Sequence, residues 1–251
     1  MIKNFIVKHF IGINRFIENK ILLNTIYLIF IIIIFLLILI INSIFKNNYF
    51  YPSLIDSFII EFLIWLLPTI LIVILSIYAI KSTIELNPLK SIYNNIKPLI
   101  IEIISLNWKW IIIFPKQKIL LINEFCIPIN IPIKIYLISN SIINSLCIPK
   151  IGCQLYCMTN YSKPIFFLLL KHGFMHGINS NFNGIGCSYM KMNIFSVINK
   201  NFFNWIEKIK KTKIFFNYKS YNNILKNGFL IYPKLFNIRN NKLFFFIQKI
   251  K

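Results

Sequence analysis

Two long apolar runs, residues 21–43 and 57–81, decide what this chain can fold into. Up to residue 41 the first holds only Asn24, Thr25 and the phenol of Tyr27 as polar side chains. The second carries Glu61 near its start and Pro68 in its middle. About 20 apolar residues cross the roughly 30 Å hydrocarbon layer as a helix, so each run predicts a transmembrane span. The linker at 44–56, with Asn47, Asn48 and Pro52 as turn formers, makes them a hairpin whose outer ends share one side of the bilayer. The basic segment at 1–20 precedes an apolar run longer than a signal-peptide core of roughly 7 to 15 residues, so the first span is expected to be retained.

Composition agrees: 57% of the residues are hydrophobic, against roughly 45 to 50% in soluble domains. The 28 Lys+Arg against 7 Asp+Glu give a formal charge of +21, which in a soluble protein would suggest nucleic acid. Here the lysines are scattered among Ile, Asn, Phe and Tyr, and no basic helix face or nucleic-acid motif organises them. No nucleic-acid partner is expected, and the consequence of the charge is attraction to anionic membrane lipid. The five cysteines are an odd number and imply no disulfide framework.

Beyond a connector at 82–98, β-branched and aromatic runs recur at 99–105, 108–114, 118–125, 133–138, 165–170 and 191–197, punctuated by Pro, Gly and Asn. This is the pattern of a small β-sandwich or barrel, and it predicts one β domain over 99–198. Residues 199–211 place Phe202, Trp205, Ile206 and Ile209 at helical spacing, with Asn199 or Asn201 as the cap. The predicted class is therefore membrane α+β, a two-helix hairpin followed by a β-sandwich and, over 199–251, a helix and arm.

Three constellations could carry chemistry. Cys153, Cys157, His172 and His176 match the loose spacing of a structural zinc site, but Gly173 and Gly177 follow the histidines and both flanks read as extended, so the helical face that a finger needs is missing. Glu61 is an ionisable group within a span, where a carboxylate costs several kcal/mol unless paired or hydrated; snorkelling from one turn inside the interface is the alternative. Trp108 and Trp110 alternate around Lys109, which predicts two indoles on one side of a strand, as core or as a docking surface.

Several motifs together resemble subunit II of haem-copper respiratory oxidases, on the cytochrome bo-type ubiquinol oxidase branch. They are E-F-L-I-W-L-L-P from Glu61 through Trp65 to Pro68, L-N-P at 86–88, N-W-K-W at 107–110 with Trp108 and Trp110, and F-P-K-Q at 114–117. The most specific is S-N-S-I-I-N-S-L-C-I-P-K-I-G-C-Q-L-Y-C-M from Ser139, which contains Pro149, Gly152 and Gln154. The likeness runs over roughly 60–211, and Pro233-Lys234-Leu235-Phe236 looks like a diverged C-terminal arm.

The resemblance implies a cupredoxin-like Greek-key domain on the periplasmic face of the bacterial inner membrane. It also implies haem-copper oxidase subunit I and other oxidase subunits as partners, with ubiquinol as substrate at the level of the complex. In copper-bearing relatives the loop closing the domain supplies two thiolates, a histidine and a methionine, the soft and borderline donors that copper requires. Here Asn144 stands at the first histidine position, Phe182 and Gly186 at the bridging cysteines, Gly184 at a glutamate and Met190 at the second histidine, with Cys187 and Met192 as packing residues. The expectation is a quinol-oxidase subunit that binds no cofactor itself, with haems and copper in subunit I, and with Glu61 at the entrance of a proton-uptake path. Two rival readings are a cytochrome c oxidase subunit II with an altered copper site and a zinc-binding membrane-anchored interaction protein. Family members often carry a lipidated cysteine, and no cysteine precedes Cys126. The excess of Lys3, Lys8, Arg15 and Lys20 over Lys46 would by itself put both termini in the cytoplasm; lysine enrichment along the whole chain weakens that rule, and the family orientation is the one expected.

Overall fold

A computed structural model of the chain describes residues 11–45, 58–87, 89, 96–140, 142–159, 161–212, 214–215, 223–224, 228 and 233–237. The basic segment before residue 11, most of the linker and most of the arm lie outside these residues. The chain forms two compact units, one of Ile17–Asn87 and one of the residues before and after it.

The first unit consists of helix α1 (Ile13–Phe45), apart from its first four residues, and helix α2 (Phe58–Glu85). Both are long and apolar enough to cross a bilayer. Large side chains such as Ile33, Phe35, Ile72 and Ile77 point outward along them, as in helices that are apolar all round. Within these helices the hydroxyls of Thr25, Thr69, Ser76, Ser82 and Thr83 each donate to the carbonyl four residues earlier, which hides them from an apolar surrounding. Thr69 does so at Trp65 O (2.8 Å), beside Pro68 in the interior of α2.

The second unit contains eleven described strands: β1 (Leu99–Leu106), β2 (Lys109–Phe114), β3 (Ile119–Ile122), β4 (Glu124–Pro128), β5 (Ile133–Ser139), β6 (Asn144–Ile148), β7 (Cys153–Cys157), β8 (Lys163–Phe167), β9 (Gly173–Asn179), β10 (Lys191–Val197) and β11 (Lys234–Asn237). They form two facing sheets, β11-β3-β2-β1-β5-β8 and β4-β10-β9-β6-β7. Each sheet is mixed, with parallel pairs at β1–β5 and β4–β10. Between them lies a core that includes Ile103, Trp110, Ile112 and Leu121 from the first sheet and Phe125, Leu146, Met175 and Ile194 from the second. Helix α3 (Asn199–Lys211) adds Phe202, Ile206 and Ile209 to this core. The rings of Phe125, Phe202 and Trp205 gather around Phe114 at centroid distances of 6.3, 6.2 and 6.1 Å. This is the expected sandwich with its following helix.

The structure adds β6, β7 and β9 to the strand runs expected from the sequence, and other details depart from that reading. The run at 118–125 is two strands in different sheets, because Asn123 turns the corner with φ +61°, a conformation that asparagine tolerates. Its backbone N–H donates to Trp110 O (3.0 Å), its Oδ1 accepts from Trp110 N (2.8 Å), and its carbonyl accepts from Asn193 N (2.8 Å), so it pins β2 to β10. Trp108 is outside β2 with φ +63°, so the two indoles are not alternating strand residues. Helix α3 is capped by Ile198 without a side-chain hydrogen bond, not by Asn199 or Asn201. The arm after α3 contributes β11, an edge strand on β3 that the sequence reading did not single out.

Residues 11–15 belong to the β unit rather than to a separate segment. Gly12 N donates to Lys150 O (3.3 Å), Ile13 N to Leu168 O (3.2 Å) and Leu170 N to Ile11 O (2.8 Å), with Gly12 bridging Leu169. Ile11 is buried in the core. A Cβ on Gly12 would come within 2.7 Å of the Ile151 backbone, so only glycine lets this segment approach.

Candidate functional site

The loop that joins β9 to β10 closes the end of the sandwich opposite residues 11–15, and contains a 3-10 turn at Cys187–Tyr189. Its interior is held by carboxamides. Asn144, buried at the start of β6, accepts at Oδ1 from Asn183 Nδ2 (2.8 Å) and Asn179 Nδ2 (3.1 Å) and donates to Ser105 Oγ (3.1 Å). Asn179 Nδ2 also donates to Asn181 O (2.7 Å), while its Oδ1 accepts from Ser145 N (2.9 Å) and Asn181 N (3.2 Å). Asn183 Nδ2 reaches Met190 Sδ (3.1 Å), and the buried Asn183 Oδ1 has no hydrogen-bond partner among the described residues.

Two tryptophans brace the same loop. Trp110 Nε1 donates to Met190 O (3.4 Å) and Trp108 Nε1 to Asn183 O (3.1 Å). Trp108 lies over the glycines: a Cβ at Gly186 would fall 2.1 Å from its Cδ2, and one at Gly184, where φ is +101°, 3.6 Å from its Cζ2. The indole thus fills the volume through which a side chain at 186 would have to enter. The left-handed backbone at Trp108, uncommon for a bulky residue, is what carries the ring over the loop.

Of the five degenerate ligand positions, the fold brings four together. Asn144 and Met190 are linked through Asn183, and Gly184 and Gly186 lie under Trp108. Phe182 does not join them and is 81% exposed. Cys187 Sγ donates to Asn181 O (3.3 Å), and Met192 is wholly buried, its Cγ 2.7 Å from where a Cβ on Gly177 would be. Gln154 ties β7 to this end through Ser145 Oγ (3.3 Å) and Ser180 Oγ (3.0 Å). Pro149 and Gly152 (φ +75°) make the tight turn between β6 and β7 at the other end. The asparagines at 179, 181 and 183 were not singled out from the sequence: only Asn179 is in a strand, and the loop brings the other two to it and to Asn144.

The donors do not fit copper. A bridging pair needs thiolates and imidazoles, whereas these side chains are neutral amides, bonded to one another except at Asn183 Oδ1, and a thioether that accepts an N–H. Among the described residues no three His, Cys, Asp or Glu side chains gather. The zinc set fails on geometry: Cys153 and Cys157 point into the core from β7, whereas His172 and His176 are exposed and His176 stands on the outer face of β9. Burial pushes the Cys157 thiol up to about 12, against hydrogen bonds from the Leu146 backbone and Ser105 that favour the thiolate, so the sulfur stays protonated at neutral pH.

Glu61 is in the first turn of α2, exposed, with Trp65 one turn on and also exposed. It precedes Glu85 by 24 positions, about 36 Å of helix or one membrane thickness.

Three similar proteins are named cytochrome bo(3) ubiquinol oxidase subunit 2. The protein of Buchnera aphidicola subsp. Baizongia pistaciae is 44% identical over 163 residues, covering 64% of this chain and 57% of the relative. That of Buchnera aphidicola subsp. Schizaphis graminum is 36% identical, covering 74% and 66%. That of Pseudomonas aeruginosa is 30% identical, covering 74% and 56%. In each case the match spans less than two thirds of the relative's own length. Among solved structures, the periplasmic domain of cytochrome oxidase subunit II from Bradyrhizobium japonicum is 22% identical with a TM-score of 0.44, covering 45% of this chain and 94% of that one. No protein-family model matches the chain.

Proposed function

Because the chain belongs to the family of ubiquinol oxidase subunit 2, we propose that it is the second subunit of a proton-pumping quinol oxidase of the bacterial inner membrane, with no redox centre of its own. The β unit faces the periplasm and rests on a haem-bearing subunit I, which holds the haems and copper at which quinol is oxidised and oxygen reduced. Residues 11–15 and the strands after α2 are parts of one unit, as a hairpin of two spans requires.

The observation that carries this reading is the filled loop. The Trp108 ring over Gly186 and the amides around Asn144 occupy the space that metal-binding side chains would need. What the loop does instead is mechanical: neutral amides hold a rigid, uncharged end on the sandwich without a metal. Glu61 would be the chain's one chemical contribution, a carboxylate that takes up protons from the cytoplasm and passes them toward subunit I.

Coexpression of the full chain with its haem-bearing partner tests the assignment. The chain is expected to copurify with a haem protein whose quinol oxidase activity depends on it, and, isolated from that complex, to hold no stoichiometric copper or zinc. Copper retained by the isolated chain, or a chain that never associates with a haem protein, would overturn it.

A further inference from the structure

The helix pair carries a polar feature that neither its hydroxyls nor the oxidase role accounts for. The Ser and Thr hydroxyls at 25, 69, 76, 82 and 83 are absorbed by their own helices. The Asn24 amide and the phenols of Tyr27 and Tyr78 have no hydrogen-bond partner among the described residues. All three line one groove between α1 and α2, of about 330 Å³, with Leu28, Ile74 and Leu75 as its apolar wall. An exposed amide in an otherwise apolar stretch is costly in hydrocarbon and asks for a polar ligand.

Charge says which ligand. Lys20 lies four residues before Asn24 and Lys81 three after Tyr78, so each extends its helix's groove-lining row by one turn. Both lysines are exposed. They stand at the ends of α1 and α2 that lead to the β unit, where a bilayer places its phosphates. Glu85 lies a turn beyond Lys81 on α2, so the cations are nearer to the groove than this carboxylate. Two cations above, three hydrogen-bonding groups at the level of the glycerol esters and an apolar wall below match the order of groups along a phospholipid. The phenols also suit this depth, where tyrosine is enriched.

We propose that this groove is a binding site for one anionic phospholipid, its phosphate between Lys20 and Lys81, its ester region against Asn24, Tyr27 and Tyr78, and an acyl chain along Leu28, Ile74 and Leu75. The site uses only the two helices, so it stands or falls independently of the oxidase assignment.

Native mass spectrometry of the delipidated full chain, titrated separately with phosphatidylglycerol and phosphatidylcholine, tests it. One phosphatidylglycerol is expected to bind in preference to phosphatidylcholine. K20Q and K81Q should each weaken the anionic lipid about fivefold and leave the neutral one unchanged. K20R/K81R should keep the preference, which separates loss of the site from failure to insert. N24L/Y78F should weaken both lipids. Equal binding of the two lipids by the parent chain, or an unchanged preference in K20Q/K81Q, would refute the site; no retained lipid at all would assign the groove to a partner helix instead.

Discussion

Gly186 and Trp108 make the closest fit in the β unit, and that fit sets the character of the whole loop. With the indole 2.1 Å from where a Cβ would be, even one methyl group must push the ring off Gly184 and break its bond to Asn183 O. Gly186→Ala is therefore expected to lower stability by about 1–3 kcal/mol, as overpacking does, with a shift in tryptophan emission as Trp108 becomes more exposed. Denaturant titration followed by fluorescence would register both, and an unchanged midpoint would mean that the ring moves aside freely. Asn144 is the other fixed point, since its carboxamide is bonded on both sides by Asn179, Asn183 and Ser105. Neutral, and with every amide oxygen but Asn183 Oδ1 engaged, these side chains lack the thiolates and imidazoles that a soft metal ion requires.

At the level of elements, the first sheet is apolar on both faces. Its outer side buries Ile104, Leu106, Ile111, Ile113, Leu120, Ile122 and Ile138, with Ile224 and Phe236 of the arm against them. That is why β2 and β3 read as unbroken apolar runs instead of alternating. Lys109 anchors the arm to this face: its Nζ donates to Ile224 O at 2.8 Å. Burial, and then the charge of Lys234, holds its ammonium below the usual lysine value of 10.5. Below the folded value both states are protonated and pH has no effect through this group. Between the folded value and 10.5 the unfolded chain binds more protons, so stability rises with pH across that interval. Urea midpoints measured over the alkaline range should show the rise in the parent and lose it in Lys109→Met.

The same elements show what the sequence could disclose. The two apolar helices, six of the strand-bearing runs and α3 were legible because their periods and compositions are local properties. The split of 118–125 was not, because the corner at Asn123 is chosen by bonds to Trp110 and Asn193 from two other strands. β11 was hidden in a basic, aromatic tail whose pairing partner is over 100 residues earlier. At the site, the degenerate positions were legible through the resemblance to a family. The amide network was not, because asparagine is so common in this chain that three at alternate positions do not stand out.

For the whole molecule, the proposed function gives the two units separate tasks, proton uptake at Glu61 and assembly through the β unit. Glu61→Gln in the assembled oxidase is expected to slow proton-coupled turnover by tenfold or more, on the order of the usual worth of a positioned proton-transfer group, while haem content and subunit ratio stay unchanged. Turnover at the parent rate would remove Glu61 from the path. A last consequence comes from the segment at Ile11 and Gly12, which bridges Leu169. Ile11 touches the position of Gly173, a residue about 160 positions later, and contacts so distant in the chain form late. The domain therefore cannot be finished by its own strands alone. It needs a piece of chain that precedes both helices, so its completion joins the two ends of the helix pair in one unit. Under the proposed two-span topology, the sandwich closes only around a correctly inserted first helix, and an inverted one would leave the bridge from Gly12 to Leu169 unmade.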